Sequence, residues 1–239
     1  MPLQNRVTPA GNIITNPARG TFMGNRGILH DDTKTLGKAR WKHKAWITCL
    51  LEFRGRYSEP MPKNRYTRLF FLDEAVALAV GHRPCYECRR ADYNIYMDHW
   101  ASAHKCPIPR AGHVDTILHS ERINSKTRQQ ITTQMRLDAL PNGAFVQLSK
   151  FTPPHLVYED ALYAFKDAVY AEPIKRPKGI TVNALTPQAT IWVLRLDLRQ
   201  FSILVFSPHK TDRHLIDLAC YWVHLNSLLI YALRKIPKH

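Results

Sequence analysis

Cys85 and Cys88 carry the side chains with the clearest chemical potential in this sequence. They lie in the segment GHRPCYECRR (81–90), directly after a predicted short helix. Two thiolates at this spacing can bind one tetrahedral metal ion, and a zinc ion held in this way stabilises a subdomain with a small core. Two other interpretations remain open. A redox pair normally follows a strand in a thioredoxin-like unit, and the two cysteines can also be ordinary structural residues.

A structural zinc ion needs four ligands, so two more are required besides this pair. Cys49 is the first candidate for the third ligand, because the predicted strand that carries it can pack against the Cys85 turn. Cys49 also shares a face with Ile47 and Leu51, and a free cysteine is a common core residue without any metal. Three residues compete for the fourth position: His43, His82 and Cys106.

The elements around these cysteines follow from hydrophobic periodicity and capping residues. Alternating apolar side chains predict a strand over 45–53, and a second strand is predicted over 68–72. Asp73 can cap a short helix over 74–80, because its carboxylate accepts hydrogen bonds from the amides of the first turn. An apolar stripe at helical spacing predicts a longer helix over 89–104.

Other patterns predict the elements of the remaining chain. Turn-forming residues dominate positions 1–40, which indicates an irregular basic arm. Helices are predicted over 114–122 and 127–137 and after Thr186-Pro187, and strands over 144–148, 155–158 and 179–185. The apolar stretch 215–233 contains Asp217 and His224, which make a membrane span expensive, so we expect a docked amphipathic helix there and no membrane span.

The composition favours a globular protein with a polyanionic partner. The chain has 239 residues, of which 45% are hydrophobic, and a formal net charge of +15. This excess favours nucleic acid first and an anionic membrane surface second. Residues 1–20 lack the apolar core of an export signal, and five scattered cysteines do not indicate a disulfide framework. A reducing cytoplasmic location is therefore expected.

The segment FFLDEAVALAVGHRPCYECR (70–89) resembles the zinc-binding domain of the Ada DNA-repair protein family. The shared features are an aromatic strand end, a short alanine-rich helix and the order Gly-aromatic-Arg-Pro-Cys-x-x-Cys-Arg, within residues 45–90. The resemblance implies a Zn²⁺ ion on Cys85 and Cys88 and contact with DNA, in repair or processing. In that family four cysteines bind the metal, and one of the earlier pair accepts a methyl group from a DNA phosphotriester. Here Cys49 is the only cysteine upstream, which weakens the implied methyl transfer.

Basic residues around the cysteines are candidate contacts to nucleic acid. A guanidinium group near a metal-fixed turn suits phosphate, and phosphate contacts position a duplex without specifying its sequence. A solvated basic rim without a ligand is the alternative interpretation. The candidates are Arg54, Arg56, Arg83, Arg89 and Arg90.

Asp115 and His119 form a further constellation, four residues apart on one face of a predicted helix. A carboxylate beside an imidazole can orient a general base or build a second metal site. With Glu121 nearby, the pair allows a hydrolase, although ordinary surface interactions explain it as well. No nucleophile can be assigned from the sequence, so the catalytic residues stay unassigned.

Together these patterns predict an α+β protein with a small Ada-like zinc module of strands and short helices, then a helical connector and a small β-containing carboxyl-terminal segment. The predicted parts are a basic arm (1–40), the zinc module (41–105), the connector (106–138), a β-rich segment (139–196) and a divergent tail (197–239). The predicted function is zinc-dependent binding of nucleic acid, DNA in particular. The alternatives are an enzyme, either a methyl acceptor at Cys49 or a hydrolase, and a protein-interaction module with a purely structural zinc ion.

Overall fold

The computed structural model describes residues 1–55 and 59–196. Arg56 and the predicted carboxyl-terminal tail, 197–239, lie outside the described residues. Within the described part the chain forms two β-sheets with four short α-helices.

Six strands form the first sheet, which carries the candidate metal ligands at one edge. They are β1 (Gln4–Val7), β2 (Ile13–Thr15), β3 (Phe22–Asn25), β4 (Ile47–Cys49), β5 (Leu69–Phe71) and β6 (Arg83–Pro84). The strand order is β2-β1-β5-β3-β4-β6. The pairs β1–β5 and β4–β6 are parallel, whereas the other neighbours are antiparallel. The pairing of β4 with β6 brings the chain at Cys49 beside the chain that leads into Cys85.

Seven strands form the second sheet, in which every pair of neighbours is antiparallel. They are β7 (Thr133–Arg136), β8 (Phe145–Gln147), β9 (His155–Tyr158), β10 (Ala161–Lys166), β11 (Val169–Tyr170), β12 (Ile174–Lys175) and β13 (Thr181–Ala184). The order is β11-β10-β9-β8-β13-β7, and β12 pairs with β10. Glu159 takes a positive φ of 50° in the tight turn that joins β9 to β10.

Four α-helices complete the described fold: α1 (Glu74–Ala79), α2 (Arg90–Ala103), α3 (Ala111–Arg122) and α4 (Gln188–Leu194). All six residues of α1 are buried. Its alanines and Val76 share one apolar cluster with Phe71 of the first sheet and Phe145 of the second, so α1 joins the two sheets. The other three helices pack together around a second cluster that includes Trp100, Leu118 and Val193.

Asp73 connects α1 to the second sheet. Its Oδ1 accepts a hydrogen bond from the Val76 amide at 2.9 Å, which caps the helix as the sequence predicts. Its Oδ2 accepts from the Tyr170 hydroxyl at 2.8 Å. Burial raises the pKa of Asp73 to about 7, even though both hydrogen bonds favour the charged form.

This raised pKa predicts that stability falls with pH. The folded protein holds a proton on Asp73 at pH values where the unfolded chain, with an ordinary pKa of about 3.9, has lost it. The stabilising effect is therefore complete below about pH 4 and is lost as pH rises to about 7, with a slope of at most about 1.4 kcal/mol per pH unit.

Asp73→Asn keeps the cap but removes the titration, so we expect a flatter profile of unfolding free energy between these pH values. Urea unfolding at several pH values measures it, with the exposed Asp98→Asn as a control. A wild-type slope that persists unchanged in Asp73→Asn contradicts this prediction.

The predicted α+β architecture, a zinc module followed by a helical connector, is wrong. The described chain is mostly β, with two sheets of six and seven strands and four short helices. The clearest difference lies in the predicted helix 127–137, where β7 forms instead. Met135 of β7 pairs with Val182 of β13, and burial alternates along the strand. Pairing with a strand this distant in sequence overrides the local helical pattern.

Residues 1–40, predicted to be an irregular arm, contribute three strands to the first sheet. Arg6 of β1 lies opposite Phe70 of β5 in a parallel pair. Turn-forming residues do occupy the connections, but the strands between them are only three or four residues long. Such short strands leave little periodicity to detect.

Local predictions fare better. Strands lie within the predicted ranges 45–53 and 68–72, although each has three residues, and α1 and α2 match the predicted helices within one residue at each end. The remaining predicted strands and the helix after Pro187 are also confirmed. The boundaries between the predicted parts of the chain stay a prediction. Among the described residues, none of the helices has the length and apolar character needed to cross a membrane.

Candidate metal centre

The parallel pair of β4 and β6 places Cys49 beside Cys85. Thr48 lies opposite Pro84 in this pair, and the Cys85 amide donates a hydrogen bond to the Thr48 carbonyl at 2.9 Å. Continuing the register by one residue sets the two cysteines side by side at the ends of their strands. The sheet pairing therefore explains why a residue thirty-six positions upstream of Cys85 belongs to the same site.

Cys88 completes a cluster of three sulfurs. The chain turns back after Cys85, where the Arg89 amide donates to the Cys85 carbonyl at 3.1 Å, and α2 begins at Arg90. The Sγ atoms of Cys49, Cys85 and Cys88 all lie within 4.8 Å of one another. A tetrahedral ion with metal–sulfur bonds of about 2.3 Å needs sulfurs roughly 3.8 Å apart. A small contraction of the cluster would meet this requirement, so the three cysteines can hold a metal ion.

The electrostatics of the cluster favour one thiolate shared by three sulfurs. Hydrogen bonds from Cys49 and Cys88 hold the pKa of Cys85 well below its ordinary value, and the backbone amides of Cys88 and Glu87 lower it further. The hydrogen bonds with Cys85 and Cys88 raise the pKa of Cys49. For Cys88 the bond with Cys49 lowers the pKa, but the bond with Cys85 and burial raise it overall. One proton therefore leaves readily, and a cation is needed to release the others.

The third sulfur favours the interpretation as a metal site over that as a redox pair. Cys85 and Cys88 lie between β6 and α2, an order that a thioredoxin-like motif also shows. A redox pair needs two sulfurs, whereas Cys49 lies at coordinating range of both. Three convergent thiols with supporting amide donors form the usual surroundings of a thiolate-bound metal. Among residues 1–55 and 59–196, the cluster found consists of these three cysteines.

The three predicted candidates for a fourth ligand lie elsewhere. His82 is fully buried, and its ring packs 5.1 Å from that of Trp46 between centroids. The Nε2 atom of His43 lies 3.3 Å from Asn25 Oδ1. Cys106 packs against the cluster formed by the helices. None of them joins the three sulfurs in the described part of the chain.

Two of the predicted nucleic-acid contacts are buried in ion pairs that support the site. Arg83 donates to both carboxylate oxygens of Asp115, each at 2.8 Å, and both side chains are only 6% exposed. Arg89 contacts Glu74 at 2.7 Å and Asp92 at 2.8 Å, with a side chain 2% exposed. These arginines flank the two cysteines in sequence and fix β6 to α3 and α1 to α2. In this arrangement both guanidinium groups are paired with carboxylates and do not face solvent.

Two other predicted contacts are exposed. Arg54 takes a positive φ of 55° and lies with its guanidinium 4.9 Å from the Phe53 ring centroid. Arg90 donates from Nε to the Tyr86 carbonyl, and its guanidinium lies 3.4 Å from the Tyr86 ring centroid. Contact of these two residues with nucleic acid stays a prediction, and Arg56 lies outside the described residues.

The predicted catalytic constellation is not assembled as a unit. Both oxygens of Asp115 accept from Arg83. The Nδ1 atom of His119 lies 3.3 Å from Arg122 Nη2. Glu121 accepts a hydrogen bond from the Ala189 amide at 2.8 Å, at the start of α4. Each group thus has its own structural partner, and the hydrolase interpretation loses its geometric basis.

Sequence reasoning does not identify Glu74 and Asp115 as buried counterions beside the candidate metal ligands. Their partners lie 15 and 32 positions away, so no local pattern links them. The sequence also does not predict that one side of the cluster is accessible to solvent. Cys85 is buried, whereas Cys49 and Cys88 are only partly buried.

Comparison with protein families, with curated proteins and with solved structures gives no match to this chain.

Proposed function

We propose that this protein binds a zinc ion through Cys49, Cys85 and Cys88 and uses the surface beside that ion to contact nucleic acid, DNA in particular. The observation that carries the proposal is the convergence of three sulfurs within 4.8 Å at the end of two paired strands. The resemblance of segment 70–89 to the Ada zinc-binding domain supports both the metal and the partner.

Zinc fits the donor set better than the other common metals. Thiolate ligands are soft and select zinc, copper(I) or iron–sulfur clusters over magnesium or calcium. Zinc accepts mixed tetrahedral sites in which a ligand of another type completes the coordination. The amides of Glu87 and Cys88 aimed at Cys85 stabilise the negative charge of the thiolates, as outer-shell donors do at structural zinc sites.

The surface beside the cysteines offers the chemistry that a phosphate backbone needs. Tyr86 is 52% exposed between the two ligands of the turn, and Arg90 stacks on its ring. Arg54 lies exposed a few residues beyond Cys49. An exposed aromatic ring with cationic neighbours suits stacking on a base and contact with a phosphate. The net charge of +15 adds long-range attraction.

The salt dependence of DNA binding tests this proposal. Fluorescence anisotropy with a labelled DNA duplex should show affinity that falls linearly with salt on logarithmic axes, because bound counterions are released. The double variant Arg54→Ala/Arg90→Ala should reduce the slope by about 2, roughly one unit per lost phosphate contact. Arg136→Ala, whose partner Asp138 is also exposed, is the matched control and should leave the slope within about one unit.

Two outcomes would count against the proposed surface. The first is a zinc-loaded wild type without affinity for duplex or single-stranded DNA at low salt. The second is an equal salt slope for the double variant and the control, which would place the contact elsewhere on the basic surface.

Partial exposure of Cys49 favours a second candidate function, a methyl acceptor. Three thiolates on a divalent zinc ion leave a net negative charge, which makes a thiolate a better nucleophile. The sulfur would attack the methyl carbon of a DNA phosphotriester, forming an S–C bond as the O–C bond breaks and a phosphodiester anion leaves. Mass spectrometry after exposure to methylated DNA should then show one added methyl group on Cys49, and an unchanged mass would exclude this function.

A further inference from the structure

A cavity of about 380 Å³ lies away from the cysteines, where the two sheets meet the end of α3. Ile13 of β2 and Gln147 of β8 line it from the two sheets, and the segment 128–130 lines it from the loop after α3. Its size falls at the lower end of the range for small-molecule sites. The residues that make it chemically unusual are Arg26 and Arg122.

Arg26 and Arg122 bury their guanidinium groups against one tryptophan. They are 2% and 1% exposed, and they lie 3.9 and 3.7 Å from the Trp46 ring centroid. Arg122 donates to the carbonyls of Gly81 and Lys44, which fixes its position. Two buried cations on one aromatic ring repel each other and lose most of their hydration.

The charge of these arginines is not balanced within the cavity. Among the described residues that line it there is no aspartate or glutamate, whereas Arg40 and Arg128 add two further cations. Arg26 Nη2 and Arg122 Nε are buried without a hydrogen-bond partner in the described structure. Burial lowers the pKa of both groups, and the charge of Arg26 lowers that of Arg122 further, although the Asp115 carboxylate, which is paired with Arg83, offsets part of this effect on Arg122.

Arg83 and Arg89 show how this chain treats buried arginines elsewhere. Each of those two is held by at least one carboxylate at 2.8 Å or less. Among the described residues no carboxylate forms a salt bridge with the pair on Trp46, and this marks the cavity as different. A guanidinium with free donors is pre-organised for a planar or tetrahedral oxyanion.

Gln130 adds an acceptor to these donors. Its Nε2 donates to the carbonyls of Pro9, Ala79 and Leu185, which fixes the orientation of the amide. Its Oε1 is buried and has no hydrogen-bond partner in the described part of the chain, and Gln130 is one of the residues that line the cavity. The residues around the cavity therefore include two buried cations with unpaired donors and one amide with an unpaired acceptor.

We infer that this cavity binds a small phosphomonoester, with the phosphate group between Arg26 and Arg122 and a hydroxyl or amino group of the organic part donating to Gln130. Two cations without a salt-bridge partner among the described residues favour a dianion over a monocarboxylate. The volume exceeds that of inorganic phosphate alone and admits an attached organic group. This inference does not depend on the metal site.

Calorimetric titration of the full-length protein tests the inference with three probes: adenosine 5′-monophosphate, inorganic phosphate and adenosine. We expect saturable binding of the monophosphate at one site, weaker binding of phosphate and none of adenosine. If phosphate binds as tightly as the monophosphate, the site serves free phosphate. The absence of saturable binding of both anions at constant ionic strength would overturn the inference.

Arg26→Met tests the assignment of the phosphate to this pair. Loss of one charged hydrogen-bond donor should weaken binding of the monophosphate roughly tenfold or more. Without ligand, the variant should unfold at the same temperature as the wild type or higher, because an uncompensated buried charge has been removed. If Arg26 were purely structural, the variant would bind the monophosphate as the wild type does, and without ligand it would unfold at a lower temperature.

Two further variants keep the test decisive. Arg136→Met removes an exposed arginine from the second sheet and should leave binding unchanged. If Arg26→Met is insoluble, Arg26→Lys replaces it, because lysine keeps the charge but lacks the paired donors of the guanidinium group. Undiminished binding in whichever Arg26 variant folds would contradict the inference.

Discussion

Cys85→Ser is expected to abolish tight zinc binding and to lower the free energy of unfolding of the zinc-loaded protein. Cys85 is the buried member of the three cysteines, and its sulfur hydrogen-bonds to both others. A metal that binds only the folded chain stabilises it by about 4 kcal/mol when its free concentration is 1,000 times its dissociation constant. The serine variant should lose stabilisation of this order, because a hydroxyl is a poor zinc ligand and stays protonated.

Thermal unfolding with and without a zinc chelator measures this effect. The wild type should lose stability on chelation, whereas Cys85→Ser should be insensitive to the chelator. Cys106→Ser is the matched control, because that cysteine packs on the helices and not on the cluster. It should keep the response to the chelator. A wild type that ignores the chelator, or a control that behaves like Cys85→Ser, would contradict the assignment.

Asp115→Ala is expected to destabilise the fold by about 3–5 kcal/mol, because it leaves the Arg83 charge buried and unpaired. The bidentate contact at 2.8 Å joins β6 to α3, and both side chains are 6% exposed. Because Arg83 lies two residues before Cys85, the same change should also weaken zinc binding.

Urea unfolding of Asp115→Ala beside Asp138→Ala separates this effect from a general loss of charge. Asp138 pairs with Arg136 at the surface, where an ion pair is worth about 0–1 kcal/mol. The double variant Arg83→Met/Asp115→Leu should recover much of the stability, since it removes both buried charges. An equal loss of unfolding free energy in Asp115→Ala and Asp138→Ala would contradict the prediction that the buried ion pair stabilises the fold more than the exposed one.

The local parts of this fold are predictable from the sequence, and the long-range parts are not. Asp73 and the alanine-rich segment after it specify α1 through capping and helix propensity, which act within a few residues. In contrast, β7 forms in a segment that was predicted to be helical, because Met135 finds its partner Val182 far along the chain. Strand pairing of this kind leaves no local signal, and it changes the architecture from α+β to mostly β.

The candidate site shows the same division. The spacing of Cys85 and Cys88 identifies the turn, and the alternating face of 45–53 puts Cys49 on a strand near it. The candidates for the fourth ligand do not lie at the cluster. His82, for example, is enclosed by the rings of Trp46 and Phe71. Two arginines of the predicted basic rim, Arg83 and Arg89, are not exposed, because they are buried and paired with carboxylates on other elements. Charge counting cannot distinguish an exposed arginine from a buried, compensated one.

The metal content of the purified full-length protein is the most direct test of the central claim. Elemental analysis should find about one zinc ion per chain in the wild type and in Cys106→Ser, and none in Cys85→Ser. Cobalt substitution should produce thiolate-to-metal charge-transfer absorption in the wild type but not in Cys85→Ser. A wild type that carries no zinc and shows no such absorption with cobalt would contradict the assignment of these three cysteines as metal ligands.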